Sequence, residues 1–169
     1  VAARHLFGKA PEQAAKAALY YDQFLRATAD FDNFKKRAAR ERQEAIKYAN
    51  ERKQFGQPIS SFGAIREKIA DLTADIFASE SLVYRLAGLL DNKLATIDKS
   101  LDNYYEEYQR GIEEYAPECA ISKVFCSEVL ARTVDETVQI FGGYGYVSDY
   151  PAERYYRDER INRIFEGAN

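Results

Sequence analysis

The chain has 169 residues, 46% hydrophobic and 30% charged, the balance of a soluble globular protein long enough for one domain with its own core. Its formal net charge of −3 is too small to point to nucleic acid or a membrane as partner. No apolar run reaches the roughly 18 residues of a membrane span, and the opening VAARHLFGKAPEQ has no apolar signal core, so a cytoplasmic location is expected. The two cysteines, Cys119 and Cys126, lie seven apart in a helical stretch. They would sit about 10 Å apart along the axis, too far for a disulfide, and they read as reduced thiols packed as small hydrophobes. His5 is the single histidine, so no metal site is expected. Methionine is missing even from position 1, which suggests a fragment, a trimmed chain or a fusion.

Between Pro11 and Gly56 there is neither proline nor glycine, and the spacing predicts one helix over about 12–54. Ala17, Tyr20, Phe24, Ala27, Phe31, Phe34, Ala38, Glu41, Ala45 and Tyr48 alternate steps of three and four, a coiled-coil seam. Large aromatics on that seam call for cover by a second copy or by the chain's own N-terminus, and a homo-oligomer is expected. Residues 35–53 carry eight Lys or Arg against three Glu, read as a solvated basic face. The GQP at 56–58 breaks the helix, and Ser60 or Ser61 can cap the next, over about 60–93. Ile65, Ile69, Leu72, Ile76, Val83, Leu86 and Leu90 mark its buried face.

Residues 95–110 are polar and acidic, with tyrosines at 104, 105 and 108, and no helix is expected there. A third long helix is expected over about 111–141, with Pro117 marking a kink or a late start. Ile121, Val124, Phe125, Val129, Val134, Val138 and Phe141 give its apolar side, and GGYG ends it. A short helix follows Pro151. No strand-like alternation stands out, so the fold class is all-α, an antiparallel helical bundle with a long N-terminal helix.

The runs YANERKQFGQPIS and VDETVQIFGGYGYVSDYPAERYYRDERINRIFEG, with the helices between them, resemble the C-terminal helical domain of acyl-CoA dehydrogenases over about residues 46–169. Upstream, YDQFLRATADFDNFKKRAARERQEAIKYANE resembles the long dimerising helix of GrpE, the nucleotide exchange factor of DnaK-type chaperones, over about residues 20–51. The expected division is therefore a GrpE-like helix over 1–50 and a dehydrogenase-like bundle over 46–169, sharing one helix. The two readings of function follow. One is the C-terminal domain of an FAD-dependent enzyme that oxidises acyl-CoA thioesters between Cα and Cβ. The other is a dimerising helix that engages a DnaK-type chaperone, carried on an inactive helical scaffold.

The dehydrogenase resemblance implies a site. That reaction needs a carboxylate to take the α proton while a hydride leaves the β carbon, and Glu166 in IFEG occupies the family's position for it. Arg52 can neutralise a pyrophosphate through charge-assisted hydrogen bonds, and Gln54 and Phe55 complete the RKQF run that reaches the flavin of a neighbouring subunit. Gln139, Ile140, Phe141, Gly142 and Gly143 resemble the segment lying against that flavin's adenosine and pyrophosphate, where glycines allow close approach to phosphate. Arg157, Asp158, Arg160 and Arg163 read as ion-pairing framework. Two positions depart from the family: Ala168 replaces a threonine that contacts the flavin, and Gly63 replaces a glutamine. The family's N-terminal and middle β-domains, which hold most isoalloxazine and acyl-CoA contacts, are not found in these residues. The chain by itself is therefore expected to be colourless, to bind FAD weakly, and to leave flavin oxidised in the presence of any acyl-CoA. A yellow protein bleached by an acyl-CoA, and blocked by Glu166→Gln, would be the contrary result.

Overall fold

The computed structural model of the chain describes residues 36–165 and 167–169. Five helices follow one another: α1 over 36–51, α2 over Gly63–Ala95, α3 over Tyr104–Glu113, α4 over Ala116–Phe141 and α5 over Ala152–Glu159. The expected first part of that helix, over 12–35, and the seam through Phe24, Phe31 and Phe34 lie outside the described residues.

The chain forms two compact units, and the larger takes in α1, the first two thirds of α2, and everything from Ala120 onward. On α1 the buried positions are Ala38, Glu41, Ala45 and Ala49, steps of three and four that keep one face inward. Two core clusters show how the helices run. Ala38 meets Ile76 of α2 and Val129, Leu130 and Val134 of α4, with Tyr155 of α5 against them. Further along, Ala45 and Ala49 meet Ile59 and Ile140, with Ile65 and Ile69 packed alongside. As numbers rise along α1 and α4 they fall along α2, so α2 is antiparallel to both. Ion pairs of Arg132 with Asp75, at 3.0 Å, and of Lys68 with Glu136 follow the same register. The all-α antiparallel arrangement expected from the spacing is what forms.

Three local features differ from the sequence expectation. First, α1 ends at Glu51 because Lys53–Gln54 and Gln57–Pro58 pair as a minimal antiparallel hairpin. Its two-residue loop holds Phe55 at φ 52° and Gly56 at φ 82°, the double positive φ that such tight hairpin turns demand. Second, Ser61 caps nothing: its hydroxyl donates to the Pro58 carbonyl at 2.7 Å. Third, of the kink or late start that Pro117 allowed, α4 takes the late start: it begins at Ala116, a few residues past Gly111, so Pro117 falls in its first turn, where a missing N–H costs no bond.

The second unit contains the end of α2, α3 and the first residues of α4. Here α3 was unexpected, because its composition is polar. Its half-buried positions include Tyr104, Tyr108 and Ile112, four apart, and two glutamates in its first turn, Glu106 and Glu107, with Arg110 donating to Glu107 at 2.7 Å, support it locally. Gly111 lets α3 approach α2: a Cβ there would lie 3.3 Å from Leu94 Cδ2. The Lys93 ammonium pairs with Glu114 at 2.5 Å.

Cys119 and Cys126 are free thiols, and burial raises both above the ordinary thiol range. No described helix is long and apolar enough to cross a membrane.

Glu41 is the anomaly of the core. Its side chain is fully buried on α1, its oxygens have no hydrogen-bond partner, and Arg37 Nε stays 3.8 Å away. Burial pushes its carboxyl up to about 8, against a lowering from Arg37 and smaller raising effects of Glu159 and Asp158. An unfolded glutamate ionises near 4.5, so between these values the folded chain keeps a proton that the unfolded chain has released. The resulting stability is fully present below the unfolded value and is lost as pH rises through about 8. Melting temperature should fall between pH 5 and 8.5. Glu41→Gln should flatten much of that fall and melt about 4 °C or more above the parent at pH 8.5. Parallel melting curves for the two proteins would contradict it.

Candidate functional site

The end of α1 meets the end of α4 through aromatic rings. Tyr48 stacks on Phe141, centroids 4.2 Å apart and planes within 16°, and its hydroxyl donates to the Phe141 carbonyl at 3.2 Å. Tyr150 sets its edge against both rings, at 6.3 Å and 5.7 Å, and Tyr144 joins it at 5.2 Å. Burial raises the Tyr48 phenol, partly offset by Arg52. One turn after Tyr48, the Arg52 amide donates to the Tyr48 carbonyl at 2.8 Å, which ends the helix. The Arg52 carbonyl then accepts from Ile59 at 2.8 Å, closing the base of the hairpin. The exposed Arg52 guanidinium lies over the Tyr144 ring, 5.6 Å from its centroid.

A cleft of about 510 Å³ opens between these ends. Of the residues singled out in the sequence, Arg52, Gln54, Ile140, Phe141, Gly142 and Gly143 line it. Gly142 takes φ 60° and turns the chain out of α4, and Gly143 has open space where a Cβ would be. An exposed guanidinium, bare glycine backbone and aromatic faces together suit a phosphate with an attached ring system. The residues present fit the diphosphate and adenosine of FAD.

The other candidates lie elsewhere. Gln139 is exposed on α4 and does not line the cleft. Phe55 projects from the hairpin loop, 93% exposed, with only an edge contact to Phe62 at 6.2 Å. Ala168 is exposed in the last residues, and Glu166 lies outside the described residues. Three of the four framework residues pair, Asp158 with Arg37 at 3.5 Å, Arg157 with Glu153 at 3.5 Å and Arg163 with Glu159 at 3.1 Å, while Arg160 is in no ion pair among the described residues.

Sequence reasoning missed Tyr48, Ile59, Tyr144 and Val147, which also line the cleft. Tyr48 was read only as a seam position, although its place one turn before Arg52 was a usable signal. Gly145 was read as part of a helix stop, but its role is packing. A Cβ there would lie 2.6 Å from the Val138 carbonyl oxygen and 3.1 Å from Phe141 Cβ, so the turn can press onto α4 only without one.

The acyl-CoA dehydrogenase C-terminal domain family matches residues 35–169. A probable acyl-CoA dehydrogenase of Bacillus subtilis is 47% identical over 122 residues, 72% of this chain and 20% of that protein. The CarC subunit of the caffeyl-CoA reductase–Etf complex of Acetobacterium woodii is 40% identical over 126 residues, 75% of this chain and 28% of its own length. Among solved structures, an acyl-CoA dehydrogenase of Bacillus anthracis complexed with FAD superposes with a TM-score of 0.75 at 48% identity, over 80% of this chain and 23% of that one. The chain thus spans between 20% and 28% of the length of these relatives. The family match also takes in residues 35–45, which the sequence alone placed in the GrpE-like helix.

Gly145→Ala should force the turn off α4 and cost about 1–3 kcal/mol. It should also weaken the near-ultraviolet circular dichroism of the Tyr48–Phe141–Tyr150 cluster. An unchanged melting temperature and spectrum would show that the close approach at Val138 is not needed.

Proposed function

Because the chain belongs to the acyl-CoA dehydrogenase C-terminal domain family, we propose that it forms one wall of a flavin site in an enzyme that dehydrogenates acyl-CoA thioesters between Cα and Cβ. The observation that carries this reading is the cleft in which Arg52, Gly142 and Gly143 come together. Arg52 would pair with the FAD diphosphate, the Gly142–Gly143 backbone would lie along it, and the Tyr48, Phe141 and Tyr144 rings would face the adenosine. Bound FAD supplies the hydride acceptor. Glu166, as carboxylate, would take the proton from the substrate Cα.

Phe55 supports an oligomer whose copies share flavin sites. A bulky residue at φ 52° and 93% exposure carries a conformational cost and an uncovered ring, which fits a contact completed by a second copy. The relative solved with FAD supports the choice of cofactor. Acyl-CoA is the substrate class that goes with this reading. No observation favours the GrpE-like, chaperone-binding reading of residues 20–51: residues 35–51 fall inside the dehydrogenase match, and 20–35 lie outside the described residues.

FAD titrated onto the chain and followed by flavin fluorescence should bind weakly, and Arg52→Gln should weaken it further by about tenfold, the worth of one charge-assisted bond. Binding indifferent to Arg52→Gln would remove the cleft from the flavin site. In a longer protein that also carries the family's N-terminal and middle domains and is bleached by an acyl-CoA, Glu166→Gln should slow bleaching by about a hundredfold or more.

A further inference from the structure

Arg37 stands between two carboxyls on two different helices. Its Nη2 pairs with Asp158 Oδ2 of α5 at 3.5 Å, while its Nε lies 3.8 Å from Glu41 Oε1, one turn along α1. The two carboxyls are unlike. Asp158 is exposed, whereas Glu41 is fully buried and neither of its oxygens is hydrogen-bonded. Next to Asp158 on α5, Glu159 is a second buried acid, anchored by Arg163, whose Nη2 donates to Glu159 Oε2 at 3.3 Å. Arg160 adds a positive charge near Glu159, and Glu128 of α4 a negative one. α2 and α4 bring Ile76, Val129, Leu130 and Val134 to the core cluster at Ala38, one turn before Glu41. The charges beside those residues, Asp75 and Arg132, pair with each other at 3.0 Å. Among the described residues Arg37 is thus the one cation within ion-pair distance of Glu41.

We propose that Arg37, Glu41 and Asp158 form a proton-controlled latch between α1 and α5. With Glu41 protonated, Arg37 is left to Asp158 and ties α5 to α1. Without that proton, Glu41 competes for Arg37 and meets the like charges of Glu159 and Asp158. An ionised carboxyl held in the interior without a partner is costly, and lifting α5 returns it to water. α5 is the element that yields most easily. It has eight residues, of which only Ala152 and Glu159 are buried, with Tyr155 half-buried against the core, whereas α2 and α4 run for 33 and 26 residues. The docked form keeps a proton that the lifted form releases, so docking is fully in place below about 4.5 and is lost as pH rises through about 8. α5 follows directly on Tyr150, whose ring sets its edge against Tyr48 and Phe141, so the latch reaches the wall of the cleft. The alternative is a buried acid that loses its proton only when the whole fold opens.

Amide protection factors of Tyr155 and Tyr156, corrected for the intrinsic pH dependence of exchange and followed by NMR in 15N-labelled chain from pH 5.5 to 9, separate the two. Opening of α5 linked to one proton should lower them by about tenfold per pH unit up to about pH 8, then level off. Glu41→Gln should make the α5 values independent of pH. Asp158→Asn removes both the second partner of Arg37 and a like charge, and should bring the levelling-off to lower pH. Flat α5 values in the parent, beside falling values for Leu72 and Leu130, would overturn the proposal, because Glu41 would then lose its proton only in global unfolding. A fall that persists in Glu41→Gln, or a levelling-off unmoved by Asp158→Asn, overturns it as well.

Discussion

The stack of Tyr48 on Phe141 joins the end of α1 to the end of α4, and the cleft exists because those two ends meet. The ring contact and the tyrosine hydroxyl bond are each worth only about 0.5–1.5 kcal/mol. Their effect is geometric, because each fixes where a chain leaves its helix. On one side Arg52 caps α1 and starts the hairpin; on the other Gly142 turns the chain at φ 60°. Small residues make the meeting possible. Ala38, Ala45 and Ala49 are almost wholly buried, so α1 can lie close to α2 and α4 along its described length.

α4 also serves a second place. Its residues 140–143 face the cleft, while Lys123, Ser127 and Glu128 hold the C-terminal loop. From Glu128 to Ile140 the helix rises about 18 Å. Burial raises the carboxyls of Glu41 and Glu159, and the charge of Glu159 raises Glu41 further. Arg163 links Glu159 to Glu128, so a buried acid and an exposed one are coupled through one guanidinium.

Much of this was legible in the residues. Apolar spacing located α2 and α4 to within a few residues, and the run of glycines after Phe141 marked the end of α4. The RKQF and QIFGG runs named six of the residues that line the cleft. What was not legible has physical reasons. The minimal hairpin depends on Phe55 adopting a positive φ, which no bulky residue advertises. α3 carries only a short stripe, Tyr104, Tyr108 and Ile112, which does not stand out from the acidic residues around it. The aromatic wall brings together residues 48, 144 and 150, a meeting set by tertiary contact. Gly145 looked like punctuation because its reason, the nearby Val138 carbonyl, is invisible until the chain folds.

The cleft as a binding place for the diphosphate half of FAD is the central claim, and titration of ADP onto 15N-labelled chain tests it most directly. Saturable amide shifts centred on Arg52, Gly142, Gly143 and Tyr144 are expected, lost when salt is raised enough to screen the guanidinium. Saturable shifts centred elsewhere, or none at millimolar ADP, would contradict the assignment.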